Sequence, residues 1–151
     1  MRSLRAIELD DYIYVPHFDM HVSAGPGAFH DLEQVVAMRP FEVGYVRNEL
    51  GINHDEIAMC GVIGTSALPS LKPKDTIMVD LRDRQVMNEG MHILRLDDAL
   101  MLKHVQRLPG KVLRVSSSNA EFKSFDIEAA EESQRDFEVI GRVRWGGVTF
   151  F

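Results

Sequence analysis

A single cysteine, Cys60, leaves this chain without an internal disulfide and without the ligands of a multi-cysteine zinc site. Its setting in the apolar run "IAMCGVIG" marks a small buried residue rather than a reactive thiol. No apolar run approaches the roughly 18 residues of a membrane span, and "MRSLRAIELDD" has no signal-peptide core. The chain therefore reads as cytoplasmic, with no membrane partner. Positive charge is scarce too: 17 Lys and Arg stand against 23 Asp and Glu, a formal net charge of −6. The stretch "EFKSFDIEAAEESQRDFE" carries seven acids against two bases. Such a surface repels phosphate backbones, and no basic stripe interleaved with aromatics offsets it. If DNA binding belongs to this system, it is expected from a segment outside these residues.

What is present is enough for one ordinary domain. The 151 residues are 45% hydrophobic and 26% charged, a globular balance with room for a core. Residues 1–12 are polar and read as a linker or tail. In "IYVPHFDMHV" (13–22) Phe18, Met20 and Val22 alternate with His17, Asp19 and His21, as in a half-buried strand. The small-residue run "SAGPGA" (23–28) reads as a flexible loop. After Pro40, "FEVGYVRNELG" sets Val43, Val46 and Leu50 at helical spacing, with Gly51 as C-cap. From residue 57 onward the pattern is mostly strand: 57–64, 76–80, 91–96, 99–108, 112–117 and 137–145, separated by "NEG", "DD" and "PG" turns. The expectation is a mainly β domain with one short helix near its start.

Several candidate chemistries fall away. His17, Asp19 and His21 would share one strand face, but no distant Cys/His pair completes a metal site, so neither metal nor cofactor is expected. "GTSAL" (64–68) lacks the second glycine of a G-x-S-x-G elbow, and "GPG" (25–27) lacks the spacing of a phosphate-binding loop. Ser66 then has a lysine as its remaining partner. A lysine serves as a base near neutral pH only when it is desolvated. Lys103 is the one lysine inside an apolar strand, "ALMLKHV", sharing a face with Ala99, Met101 and Val105. Chemistry alone leaves two readings of it, a desolvated base or a side chain snorkelling from an edge strand.

These residues, in this order, resemble the peptidase domain of LexA-like and phage-repressor-type proteins, the S24 family of self-cleaving serine-lysine peptidases. "GTSALP" supplies Gly64, Ser66 and Pro69 of the family's G-D-S-M-x-P pattern, with Asp75 and "MVD" (78–80) in register. Lys103 lies 37 positions after Ser66 and is followed by Arg107-Leu108. "VLRVSSSNAEF" is similar to the family's S-x-N strand and turn, "VIGRVRWGG" to its closing strand, and "FEVGYVRNELGINHDEIAMCGVIG" to its helix and lead-in strand. The likeness runs from about residue 13 to the end. Three positions depart from the family: Thr65 and Ala67 flank the serine in place of an acid and a methionine, and Met101 replaces the hydroxyl that several relatives carry two places before the lysine.

The resemblance implies a LexA/signal-peptidase-like fold of twisted antiparallel sheets spanning 13–151. It implies Ser66 as nucleophile, Lys103 as base, and backbone N–H groups at Ser66 and Ala67 as the oxyanion support. The bond cut would be Ala24-Gly25, in cis. The function implied is the regulatory, self-cleaving and dimerising part of a transcriptional repressor; a non-cleaving sensory module switched by an antirepressor protein is the alternative. It further implies a homodimer, triggering by a RecA-type filament or an antirepressor, and DNA contact only through a helix-turn-helix segment not among these residues. The final strand would set Val139, Gly141, Val143 and Trp145 on one face against Ile140, Arg142 and Arg144. The apolar tip Val148, Phe150 and Phe151, with Trp145, would then either join two copies or cap the domain's own core.

Overall fold

The computed structural model describes residues 5–19, 29, 34–128 and 136–150. Ten strands make one mixed sheet: β1 (Ile7–Leu9), β2 (Tyr12–Phe18), β3 (Val35–Glu42), β4 (Ile57–Gly61), β5 (Thr76–Asp80), β6 (Gly90–Leu96), β7 (Ala99–Leu108), β8 (Val112–Ser116), β9 (Phe125–Glu128) and β10 (Phe137–Gly147). Their spatial order is β1-β2-β4-β5-β10-β6-β7-β8-β9, and β3 runs along β2. Every pairing is antiparallel except the short parallel contact of β2 with β4 at His17–Met59 and Phe18–Cys60. The protein is mainly β, as its strand pattern indicates, and the hairpin turns fall where the turn residues stand. Leu96 faces Ala99 across Asp97-Asp98, with Asp97 in the left-handed region that aspartate tolerates.

The helix is shorter than its spacing suggests. Phe41 and Glu42 belong to β3, held extended by pairing with Ile13 and Tyr12, and helical backbone begins only at Val43. Tyr45–Glu49 forms a π-type turn closed by Leu50 N–H donating to Tyr45 O at 3.0 Å. Sheet pairing outweighs local spacing here, because both residues pair with β2 and Phe41 faces buried Ile13. Gly51, at a φ of +69°, ends the turn as a C-cap glycine does.

Three strands lack a clear signal in the sequence. β1 lies in the polar opening segment and carries exposed Ile7 and Leu9. β3 spans Pro40, which an edge strand tolerates because no ladder N–H is needed there. β9 hides inside the acidic run: Ile127 is buried while Asp126 turns out to pair with Arg114 at 3.0 Å. Met20, His21 and Val22, expected to continue β2, lie outside the described residues.

Three apolar clusters fill the two sides of the sheet. The largest gathers Phe18, Phe29, Cys60, Ala67, Ile77, Ile93 and Leu102. A second joins Ile13, Val15, Val46, Ile52 and Met78, and a third Val86, Leu94, Val105 and Val115. Cys60 is wholly buried, and burial pushes its thiol up to about 12, fitting an inert core residue.

β10 does not alternate as its sequence suggests. Register shifts at Val139/Gly141 and Val143/Trp145 break the period of two, so Val139, Ile140 and Gly141 are all buried. Trp145 packs edge-on against Phe41 at 5.1 Å and joins the second cluster, so it caps the chain's own core. Gly141 sits where a Cβ would come within 2.5 Å of Asp80 O and 2.7 Å of Val79 Cγ1. Gly141→Ala should therefore cost about 1–3 kcal/mol of stability. Urea denaturation checks this, and a change below about 0.5 kcal/mol would mean that β10 shifts freely.

Candidate active site

The loop after β4 carries the serine. Its ends are drawn together by Val62 N–H donating to Asp75 O at 2.8 Å, and Gly64 takes a φ of +67° to turn the chain. Leu68 N–H closes on Thr65 O at 3.2 Å, and Leu68-Pro69 is cis. Ala67 is buried in the largest cluster and anchors the loop from below. A longer methionine would have to be accommodated in that packing, so the departure at Ala67 is a matter of core volume beside the serine. Ser66 itself is only 6% exposed. Among the described residues, neither the Ser66 nor the Ala67 N–H donates to a backbone carbonyl.

Asp75, at the far end of this loop, is almost fully enclosed. It accepts from Lys72 N and Nζ at 2.9 and 2.7 Å and from Thr149 N at 3.1 Å, which holds its carboxyl at about 2. These bonds strap the C-terminal segment to the serine loop.

Lys103 stands in β7, which has β6 on one side and β8 on the other. It is not on an edge strand, and at 7% exposure it does not snorkel. Its face is the expected one in part: Val105 is buried and Met101 half-buried, while Ala99 is exposed. Burial lowers the affinity of its amine for a proton. Nζ donates to Ser117 Oγ at 2.8 Å and lies 4.5 Å from the centre of the Phe122 ring.

Ser66 and Lys103 meet through backbone and turn rather than directly. Ser66 Oγ donates to Leu102 O, the carbonyl just before Lys103, at 2.7 Å. Among the described residues the two side chains share no hydrogen bond. The turn after β8 grips both halves. Asn119 N–H donates to Ser66 O at 3.0 Å and Asn119 Nδ2 to Thr65 O at 3.1 Å, while Ser117 holds the ammonium. The sequence alone gives Ser117, Asn119 and Phe122 no individual roles, although their segment, "SSSNAEF", carries the family's S-x-N pattern.

Beside this loop a cleft of about 360 Å³ is lined by His17, Phe18, Asp19, Val36 and Gly61 to Gly64. His17 Nδ1 accepts from Arg39 Nε at 3.4 Å, and burial together with Arg39 favours its neutral ring. Among the described residues, no group of three His, Cys, Asp or Glu side chains is placed to hold a metal ion. Ala24 and Gly25, the expected cleavage bond, and His21 lie outside the described residues.

The sequence has a counterpart among known families. The Peptidase S24-like family model matches residues 16–144, nearly the whole described sheet and both Ser66 and Lys103. The chain belongs to the Peptidase S24-like family. This S24-like chain is 28% identical over 142 residues to the repressor protein CI of Enterobacteria phage phi80, covering 92% of this chain and 58% of that protein. It is 27% identical over 128 residues to the 26 kDa repressor protein of Escherichia phage HK022, covering 83% and 54%. An uncharacterized HTH-type transcriptional regulator of Haemophilus influenzae is 23% identical over 125 residues, covering 82% and 51%. The chain thus spans about half the length of the curated relatives it matches. Among the described residues, no helix is long and apolar enough to cross a membrane.

The Ser117 bond is open to test. Ser117→Ala removes the acceptor of a buried ammonium and should destabilise the fold by about 1–2 kcal/mol at neutral pH. The loss should shrink above about pH 10, where a neutral amine needs its acceptor less. Equal stability of the two chains in urea at pH 7 would mean that water replaces the hydroxyl at no cost.

Proposed function

We propose that this chain is the regulatory, self-cleaving and dimerising part of a LexA- or phage-type transcriptional repressor, using Ser66 and Lys103 to cut Ala24-Gly25. One observation carries the reading: a buried serine and a buried lysine are gripped by the same turn, 117–122, in a chain of the S24-like family. A lysine kept from water, with no carboxylate paired to it among the described residues, is suited to giving up its proton. The relatives named as repressors point to the same role. DNA contact would come through a helix-turn-helix segment, and a RecA-type filament or an antirepressor would supply the trigger.

The chemistry follows from these groups. The Ser66 hydroxyl turns from Leu102 O toward Lys103 and passes its proton to the neutral amine as Oγ attacks the Ala24 carbonyl. The Ser66 and Ala67 amides would meet the oxyanion. Collapse breaks the Ala24–Gly25 bond, and Lys103 returns the proton to the departing Gly25 amine. Water then hydrolyses the Ser66 ester. The cleft lined by His17, Val36 and the backbone after β4 would seat the chain beside the scissile bond.

A second reading has its own support. The Ser66 hydroxyl is committed to Leu102 O rather than to Lys103, as expected of a module that senses and dimerises without cutting. Incubation of the chain at about pH 10, where a lysine amine is largely neutral, separates the two. Mass spectrometry should show a fragment beginning at Gly25 from the wild type and none from Ser66→Ala, Lys103→Ala or Lys103→Arg. An intact, folded wild-type chain would favour the non-cleaving module. Cleavage by Lys103→Arg would move the base elsewhere, with His104 the first candidate.

Dimerisation is assigned to the C-terminal tip. Trp145 is used inside the domain, but Val148 is exposed and Phe150 is 93% exposed, on a segment strapped down through Thr149 and Asp75. Removal of residues 148–151 should weaken a concentration-dependent dimer at about ten micromolar, measured by sedimentation equilibrium. An unchanged dimer would place the contact on another surface.

A further inference from the structure

The ammonium of Lys103 is satisfied in an unusual way. Among the described residues it forms no ion pair; its partners are one hydroxyl, Ser117 Oγ at 2.8 Å, and one aromatic face, Phe122 at 4.5 Å. Burial and the ring act in opposite directions. Desolvation favours the neutral amine, whereas the negative face of the ring favours the cation. The ionisable groups around the pair are few. His92 stands opposite Lys103 on β6, fully buried, with Nδ1 donating to Gly90 O at 2.8 Å and burial favouring its neutral ring. His104 follows on β7, and Glu121 and Lys123, both exposed, flank Phe122 in the turn.

Phe122 is not locked in the core. It is 40% exposed, at the end of a short turn closed by its own N–H donating to Asn119 O at 3.1 Å. The same turn holds Ser66 O and Thr65 O through Asn119. A ring so placed can leave the ammonium without unfolding the sheet. Meanwhile Ser66 Oγ is bonded to Leu102 O, so both halves of the dyad are occupied elsewhere.

We propose that Phe122 is a positioning residue that latches Lys103 in its charged, resting orientation against Ser117, so that the dyad engages only when the ring moves off the ammonium. The proposal rests on the reading of Lys103 as the base and adds what holds it idle. A peptide entering the site would displace the ring and at the same time exclude water, leaving the amine with less reason to keep its proton. The device makes cleavage wait for the loop to be seated.

The test uses the intact chain and two variants. Phe122→Leu keeps apolar cover but removes the ring's quadrupole, and Phe122→Trp strengthens it. The titration of Lys103 is followed by carbon–nitrogen NMR of its Cε and Nζ in the Ser66→Ala background, where no cleavage intervenes. Phe122→Leu should lower the midpoint by about half a pH unit, roughly a threefold rise in neutral lysine below the midpoint, and Phe122→Trp should hold or raise it. With Ser66 present, the alkaline onset of self-cleavage should move the same way. An unchanged or raised midpoint in a natively folded Phe122→Leu chain overturns the proposal. A lowered midpoint in a chain that cleaves under no condition would leave the ring's hold on Lys103 intact. That result would overturn the role in engagement through failure of the reading on which it rests.

Discussion

An amine withdrawn from water must either find acceptors for its protons or release one, and the centre of this protein is arranged around that constraint. Lys103 sits, largely buried, in a strand with neighbours on both sides. A carboxylate there would fix the charge and disable the group as a base. Instead Nζ meets a hydroxyl and an aromatic ring, while burial lowers its affinity for a proton. The turn that supplies both groups also supplies the amides that hold the serine loop. The amine and the serine loop are therefore both held by the same six-residue turn.

The remainder of the fold keeps that turn and the serine loop in register. Ala67 is plugged into the main cluster, which fixes the height of Ser66 above the sheet. Asp75 closes the loop from the other end and reaches across to Thr149. The bulges in β10 let one strand bury residues on both faces, packing Trp145 inward while its end still reaches the loop. Close packing at Gly141 against Asp80 brings β10 and β5 together where the sheet is tightest. The exposed tip beyond Trp145 is tied through Thr149 to the same carboxylate that closes the loop.

Much of this was legible before any coordinates. Strands 76–80 and 99–108 coincide with β5 and β7 because they are buried, β-branched or apolar, and bounded by turn residues. β1, β3 and β9 were not, since edge strands carry exposed polar positions and owe their conformation to a neighbour rather than to their own pattern. The start of the helix was placed two residues early, because pairing of Phe41 and Glu42 with β2 is a long-range contact that local spacing does not encode.

The amino-acid sequence by itself singled out Ser66 and Lys103 as the candidate pair. An apolar strand around Lys103, a glycine-turned loop around Ser66 and the ordered landmarks of the family are local facts of composition and spacing. Only the tertiary structure decided how those groups stand toward one another. Ser66 is bonded to a backbone carbonyl, Lys103 meets Ser117 and Phe122, and Trp145 packs against Phe41 of its own chain. The physical reason is range. Periodicity reports the face on which a side chain lies, but hydrogen bonds and ring contacts are made within a few ångströms, between residues the sheet brings together from 14 to more than 100 positions apart.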